Sequence, residues 1–340
     1  MKQIVSIVLV LVLFGTFGWA KDYTKKPEVR RFIDRMANHY HFDRHYLNTL
    51  FSNIKFQKRA LAIYVPKYRK KYKHITKKHR KTGSWDRYEK NILKPAKVDA
   101  GISFMHRYRK ALHRAYRKYG VAPEYITAII GIESHYGKHT GRYPVLDALA
   151  TLAFEPNRRQ KFYRSELKEF LLMTKREKIN PRHVKGSYAG AIGLGQFMPS
   201  NYKTFVVDFN HDGKKRMQHP EDAIGSIAYY LKRHGWQSGE PVAVRVSYPG
   251  KYFTGKKTGY RYTYSRASLK NISPKCHFAY NKKVHLIKLK RYGFDELWYG
   301  THNFYVITRY NHSSYYAMAV YQLAEKLKKG YKKKYGKYLR

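Results

Sequence analysis

Cysteine, acidic side chains and long apolar runs are all scarce in this sequence of 340 residues. Cys276 is the only cysteine, so no disulfide can form within the chain and no zinc site built from several cysteines is available. Aspartate and glutamate number 22 against 70 lysines and arginines, which gives a formal net charge of +48. Such a charge favours polyanionic partners and salt-sensitive association. Hydrophobic residues still make up 43%, enough for a sizeable core.

The apolar run at the N-terminus has the layout of a secretory signal. Lys2 precedes an apolar segment from Ile4 to Phe17, and small residues end at Ala20. A spanning helix needs about 20 apolar residues, so this run is short for one. We predict a signal peptide over residues 1–20, with an uncleaved anchor as the alternative. The protein is then exported, periplasmic and soluble after cleavage, and no cysteine is present there for lipid attachment.

Export changes the expected partners of so basic a chain. Nucleic acid is not expected as a partner, because DNA is not the usual polyanion outside the cytoplasm. Cell-wall carboxylates and the phosphates of an anionic membrane surface are better candidates. A basic surface that is merely solvated is the alternative.

Hydrophobic periodicity divides the rest of the chain into helical and β segments. Apolar residues recur at helical spacing before and after the centre, and the stripe from Phe104 through Tyr108 to Tyr119 predicts one helix that stops at Gly120. Val242, Val244 and Val246 alternate with polar or small residues as in a half-buried strand, and Phe253 to Tyr264 and Lys283 to Leu289 predict further strands. The prediction is α+β and mainly helical. Its parts are a helical region over 21–120, a core over 121–239, a small antiparallel β module over 240–300, a C-terminal helix over 301–330 and a basic tail over 331–340.

One carboxylate in the core stands on an apolar helical face. Pro123 suits the first turn of a helix, and Ile129 and Ile130 mark its buried side. Glu133 follows them by four and three residues, so its side chain projects from the same face. Poor hydration raises the pKa of a carboxyl group, as a general acid at neutral pH requires. The alternative is local capping or pairing, with His135, His139 or Arg142.

Four segments, over residues 131–154, 186–200, 222–236 and 307–320, resemble the membrane-bound lytic murein transglycosylase B family. They include Gly-Ile-Glu133-Ser-His-Tyr-Gly and the glycine-rich Gly186-Ser-Tyr-Ala-Gly-Ala-Ile-Gly-Leu-Gly-Gln-Phe-Met-Pro-Ser200. The N-terminal hundred residues match only loosely, around Trp85 to Tyr88 and Gly101. The resemblance implies a lysozyme-like core whose substrate is peptidoglycan. Proteins of a wall-remodelling complex are further expected partners.

The resemblance also implies a mechanism in which Glu133 alone serves as acid and then base. The bond between N-acetylmuramic acid and N-acetylglucosamine is cleaved by internal attack, which leaves a 1,6-anhydro ring. Two carboxylates are usual in other glycosidases, and the nearest candidates here, Asp147 and Glu155, lie in a helix start and a turn. Alternatives are a hydrolytic muramidase and a non-catalytic peptidoglycan-binding protein on the same fold.

Substrate-binding residues follow from the resemblance by position. The side chains expected to line the cleft or orient Glu133 are Ser187, Gln196, Tyr230, Tyr310 and Asn311. Arg158 and Arg159 are expected to pair with a stem-peptide carboxylate, which a guanidinium fork matches. The alternatives are a tight turn for the glycine-rich block, core packing for Tyr230 and a solvated surface for the two arginines.

The segment after residue 207 is similar to the start of an EF-hand loop. Asp208, Asn210 and Asp212 stand at alternate positions, and the backbone carbonyl of Lys214 is a further donor. His219 stands where an ordinary loop ends in glutamate, and the family's longer loop maps its closing aspartate to Asp222. We expect no cofactor for catalysis. A structural calcium or sodium ion is expected in this loop, with a loop held only by hydrogen bonds as the alternative.

Overall fold

The protein is described by a computed structural model that covers residues 20–68, 82–336 and 338–339. Almost all of the predicted signal peptide lies outside these ranges, as does most of the basic run between residues 67 and 81. Within them, the apolar stretches are too short for any helix to cross a membrane.

The N-terminal region is helical, as predicted. It contains α1 (Pro27–Tyr40), α2 (Arg44–Phe51), α3 (Lys58–Leu61), α4 (Ser84–Ile92), α5 (Pro95–Arg107) and α6 (Arg109–Tyr119), with a short antiparallel pair of β1 (Ala20–Lys21) and β2 (Ile54–Lys55). The stripe predicted as one helix through Tyr108 is two helices, because the backbone at Tyr108 leaves helical geometry at φ −104° and ψ 25°. The predicted end at Gly120 is confirmed by its left-handed φ of 71°.

Five helices form the core that holds the site. They are α7 (Pro123–Ser134), α8 (Val145–Phe154), α9 (Gln160–Arg176), α10 (Pro199–Phe205) and α11 (Pro220–Arg233), with a two-stranded pair of β3 (Tyr143–Pro144) and β4 (Lys185–Gly186). All ten residues of α8 are buried, because eight of them are apolar, its two polar side chains accept hydrogen bonds from the backbone near β2, and the helix packs along α9. Helix α7 is likewise buried over most of its length and packs on α5, α6 and α11.

The predicted antiparallel β module is present between these helices and the C-terminus. Its four strands are β5 (Ala243–Ser247), β6 (Ser273–Pro274), β7 (His285–Lys290) and β8 (Asp295–Gly300), in the order β6-β5-β8-β7. Alternating valines of β5 pack into a small core of the module's own. The strand expected from Phe253 to Tyr264 is wrong, since this stretch is a loop with a single bridge from Tyr264 to Val284.

The C-terminal segment returns to the core as two helices rather than the predicted one, α12 (His302–Tyr310) and α13 (Ser314–Tyr335). Ser313 caps α13 by accepting a hydrogen bond from the backbone N–H of Tyr316. The helix runs past the expected end at Gly330 to Tyr335, so the first half of the predicted basic tail is helical. Helix α13 packs on both α5 and α7, which places the C-terminal helix beside Glu133.

Candidate active site

Glu133 lies in the last turn of α7, where the chain reverses. The helix ends because His135 and Tyr136 adopt left-handed φ values of 51° and 60°. The half-buried Glu133 side chain faces a cavity of about 320 Å³. This cavity is lined by Asn91, Lys94, Ala96, Lys97, Ile132, Glu133, Ser134, His135 and His139. Glu133 is the only carboxylate among these lining residues.

The carboxyl group of Glu133 has an environment that moves its titration close to neutral pH. Burial raises its pKa to about 7, and a hydrogen bond from Tyr316 partly offsets that rise. The Tyr316 hydroxyl donates this bond to Oε1 of Glu133 over 2.6 Å. Burial, together with the charge of Glu133, raises the pKa of the Tyr316 hydroxyl well above its usual range, so that hydroxyl stays a donor.

Tyrosines from three helices surround the acid. The rings of Tyr310 and Tyr316 are nearly parallel, with an interplanar angle of 6° and centroids 6.3 Å apart. The Tyr310 hydroxyl donates a 2.5 Å hydrogen bond to the carbonyl oxygen of Gly195 in the glycine-rich block. Tyr230 packs edge-on against Tyr310 and donates to the carbonyl oxygen of Arg309 over 2.7 Å. The predicted Tyr230 and Tyr310 therefore lie together, with Tyr310 packed on Tyr316 and Tyr230 packed behind Tyr310.

Gly131 on α7 leaves room for the ring of Tyr136, which lies three residues after Glu133. A Cβ atom on Gly131 would stand 2.6 Å from the Tyr136 ring, and one on Gly101 of α5 would stand 2.4 Å from its hydroxyl. Tyr136 therefore fits between two helix backbones only because both positions are glycine. The Tyr136 ring is therefore held close to the helix backbone beside Glu133.

The glycine-rich block folds as a tight turn tied to the segment after Glu133. Ser187 Oγ accepts hydrogen bonds from the backbone N–H groups of Ala189 and Ala191 over 3.3 and 3.0 Å. The Gln196 side chain donates to the carbonyl oxygens of Thr140 and Gly193 over 3.0 and 2.9 Å. Both side chains thus hold the backbone of the block, as the turn alternative described. Their contact with a sugar stays a prediction.

None of the seven predicted substrate residues is among those that line the cavity of Glu133, and three of them lie on exposed surface. Asn311 follows α12 at an exposed position. Arg158 and Arg159 are exposed, and their guanidinium groups lie over the rings of Tyr64 and Phe162, at 5.8 and 4.0 Å from the centroids. Contact of the two arginines with a stem peptide stays a prediction.

The two other acids considered from the sequence, Asp147 and Glu155, accept hydrogen bonds away from the cavity of Glu133. Asp147 accepts a hydrogen bond from the backbone N–H of Lys55 over 3.1 Å and is 5% exposed. Glu155 accepts one from the Tyr23 hydroxyl over 2.7 Å. Neither lines the cavity of Glu133. A second carboxylate is therefore not supplied from these two positions.

The EF-hand-like loop is held by hydrogen bonds between its acidic side chains and its own backbone. Asp208 accepts from the N–H groups of Asp212 and Gly213, and Asn210 accepts from Asp212. Asp212 accepts from the N–H of Lys214 over 2.9 Å, whereas Asp222 is fully buried and accepts from Phe209, Asn210 and Arg216. Over the described ranges no three His, Cys, Asp or Glu side chains converge as a metal site.

Sequence reasoning missed Tyr316 and the residues that line the cavity from the N-terminal region. Tyr316 stood within one of the family-like segments but carried no assigned role. Asn91, Lys94 and Lys97 belong to the turn between α4 and α5 and its flanks, just after the loosely matching stretch from Trp85 to Tyr88. The loose family match of that stretch was the sequence signal that these N-terminal residues contribute to the site.

A mainly helical core with a glutamate at the end of a buried helix is the architecture of a lytic transglycosylase, and comparison with known proteins shows this class. Residues 24–325 match the transglycosylase SLT domain family, and the chain belongs to that family. It is 40% identical to membrane-bound lytic murein transglycosylase B of Escherichia coli (strain K12) over 306 residues, which cover 89% of this chain and 83% of the relative.

Solved structures of lytic transglycosylases share the fold, which is lysozyme-like as predicted. The Escherichia coli lytic transglycosylase Slt35 in complex with bulgecin A superposes with a TM-score of 0.83 at 38% identity, over 94% of this chain and 98% of that one. The same enzyme in complex with calcium gives the same TM-score, identity and coverage.

Proposed function

We propose that this enzyme cleaves peptidoglycan between N-acetylmuramic acid and N-acetylglucosamine as a lytic transglycosylase, with Glu133 as its only acid and base. The observation that carries the proposal is the Glu133 carboxyl group, whose pKa is raised to about 7 at the wall of an open cavity. A group with this pKa exchanges its proton readily in both directions at neutral pH. The related Escherichia coli enzyme carries the same activity in its name.

In the proposed reaction Glu133 donates its proton to the glycosidic oxygen, and the bond from that oxygen to the anomeric carbon breaks. The N-acetylglucosamine unit leaves as an alcohol, and Glu133 becomes a carboxylate. The carboxylate then takes the proton of the muramoyl C6 hydroxyl, and the C6 oxygen bonds to the anomeric carbon. The acid is restored and no water is consumed. The Tyr316 hydroxyl, 2.6 Å from Oε1, stabilises the carboxylate stage.

Digestion of purified peptidoglycan tests this mechanism. We expect muropeptides with anhydro ends, each lacking one water relative to a hydrolysed end in mass analysis, and none from the Glu133→Gln variant. Hydrated ends alone would make the enzyme a hydrolytic muramidase. Binding to peptidoglycan without any product from wild type would make it a non-catalytic binding protein.

We also propose that the protein works in the periplasm. The signal-like sequence over residues 1–20 and the charge of +48 support export and contact with anionic surfaces. Fractionation of cells tests the location, and sedimentation with vesicles of anionic lipid tests association with a membrane surface. Recovery in the cytoplasmic fraction, with the first 20 residues intact, would contradict export.

The loop over residues 208–222 is proposed to hold a structural calcium or sodium ion. Asp208, Asn210 and Asp212 offer oxygen donors at alternate positions on an exposed turn, although Asp222 already serves three backbone amides. A rise in melting temperature with added calcium, lost in Asp208→Ala, would support the ion. No rise with either cation would leave a loop held by hydrogen bonds alone.

A further inference from the structure

A second cavity, here called the arginine pocket, lies where the β module meets α12. Its volume is about 560 Å³, and it is lined by Tyr260, Arg261, Thr263, His285, Tyr305, Arg309 and His312. Two arginines and two histidines contribute to this lining, and no aspartate or glutamate does. The pocket is therefore built to receive a negative charge.

Arg309 is positioned by aromatic stacking rather than by a carboxylate. Its guanidinium carbon lies 4.2 Å from the ring centroid of Tyr305 and 5.4 Å from that of Tyr260. One terminal nitrogen reaches the Thr308 hydroxyl over 3.1 Å, while the buried Nε has no hydrogen-bond partner among the described residues. A guanidinium placed over aromatic rings and without a carboxylate partner keeps donors available to a ligand.

Arg261 brings a second guanidinium to the same ring. It lies 5.7 Å from the centroid of Tyr260, and its Nε donates a long 3.4 Å hydrogen bond to the Tyr260 hydroxyl. No carboxylate of the described ranges lies within 4 Å of Arg261 or Arg309, whereas Arg245 and Arg291 of the same module are both paired with Glu296. The two pocket arginines are thus left with positive charge that the protein does not neutralise.

The wall of the pocket is fixed to the active site. The backbone N–H of Tyr260 donates to Ser314 Oγ over 3.2 Å, at the start of the helix that carries Tyr316. His285 stacks on Tyr305 at an interplanar angle of 11° and bonds through Nδ1 to the carbonyl oxygen of Tyr262. Arg309 itself directly precedes Tyr310. The pocket therefore lies next to the tyrosines that surround Glu133.

We infer that the arginine pocket binds a carboxylate of the stem peptide on a glycan strand held at Glu133. Planar forks of Arg261 and Arg309 match a carboxylate, and peptide substituents are the negatively charged part of such a strand. The inference rests on the proposed function. It deepens that proposal by assigning recognition of the peptide to the junction of the β module with α12.

Three substrates separate this role from catalysis: strands bearing acidic stem peptides, the same strands with their carboxylates amidated, and strands stripped of peptide. We expect wild type to prefer the acidic strands in kcat/KM. Arg261→Ala should lower that preference by about tenfold, mainly through KM, since charge-assisted hydrogen bonds are lost. Arg309→Lys keeps the charge but loses the fork and should lower the preference as well. Lys275→Ala, which removes an exposed charge of the same module, is the matched control.

The preference ratio keeps the test independent of general damage to the site. An unchanged ratio in both Arg261→Ala and Arg309→Lys would overturn the inference, as would an equal loss in Lys275→Ala. Equal rates of wild type on acidic and amidated strands would overturn it too. If wild type cleaves none of the three substrates, the proposed function fails first, and the two failures are thereby told apart.

Discussion

Tyr316 donates a 2.6 Å hydrogen bond to Glu133 from a position 183 residues further along the chain. The bond favours the charged carboxylate, whereas burial favours the neutral acid, and burial is the larger effect on the pKa. The balance between the two sets the pH at which Glu133 carries its proton. It also means that the acid is tuned by a helix that arrives last in the sequence.

Replacement of Tyr316 by Phe should move this balance. Without the donor the pKa of Glu133 rises above about 7, so the decline of kcat/KM at alkaline pH should shift to higher pH. The rate at neutral pH should fall by about tenfold, because one charge-assisted hydrogen bond to the carboxylate is lost. A pH–rate profile measures both effects. Tyr321→Phe, on the same helix with its ring against Trp298, should keep the wild-type profile.

The Glu133→Gln variant should be inactive but more stable than wild type at alkaline pH. The pKa of Glu133 is about 7 in the folded state against 4.5 ordinarily, so the folded protein binds the proton more tightly. Stability is therefore complete below about pH 4.5 and falls as the pH rises through 7, by at most about 3 kcal/mol. Urea unfolding at pH 5 and pH 8.5 measures the difference. Equal stability of both proteins at pH 8.5 would refute the burial of the charge.

Arg291 joins the β module to the N-terminal helices, and its loss should destabilise the fold. Its guanidinium pairs with Asp86 at 3.0 Å, with Glu296 at 3.1 Å and also with Glu89. Arg291→Met would leave Asp86 and Glu89 without this ion pair and Glu296 with only Arg245, at an expected loss of about 3 kcal/mol in the free energy of unfolding. Arg44→Met, which breaks an exposed pair with Asp34, should cost less than about 1 kcal/mol. Similar losses of stability in both variants would contradict the role of Arg291 in joining the β module to the N-terminal helices.

Gly131→Ala should disturb the active site although alanine favours helices. The added Cβ would stand 2.6 Å from the Tyr136 ring, which lies three residues after Glu133. We expect a loss of stability of about 1–3 kcal/mol from overpacking, and a lower kcat. Gly330→Ala on α13 is the comparison, since its Cβ would meet only the flexible end of Ile102. Thermal unfolding and turnover measure both variants, and an active, stabilised Gly131→Ala would show that Tyr136 can move freely.

The parts of the site that local spacing governs could be predicted from the sequence. Glu133 follows two isoleucines at helical spacing, and the β5 valines alternate, so both patterns are visible within a few residues. Tyr316 could not be assigned, because its contact with Glu133 joins distant segments and leaves no periodic signal. The break at Tyr108 was missed for a related reason, since apolar spacing continues unchanged through it.

The loop from residue 253 to 264 shows the opposite failure. Its aromatic residues look like a strand, yet the described backbone there forms only one bridge, and Tyr260 is used instead to stack with two arginines. Aromatic residues favour strands because they fit half-buried surfaces, and a pocket wall is another such surface. Composition cannot separate the two.

Because Tyr316 and part of the packing around α7 come from α13, the surroundings of Glu133 are complete only once α13 has packed on α7. A growing chain that has exposed Glu133 but not yet Tyr316 has a carboxyl group without its donor and without the helix that buries it. Such an intermediate would ionise at ordinary pH and could not deliver a proton to a glycan. The proposed acid therefore depends on a contact between two helices that lie far apart in the sequence.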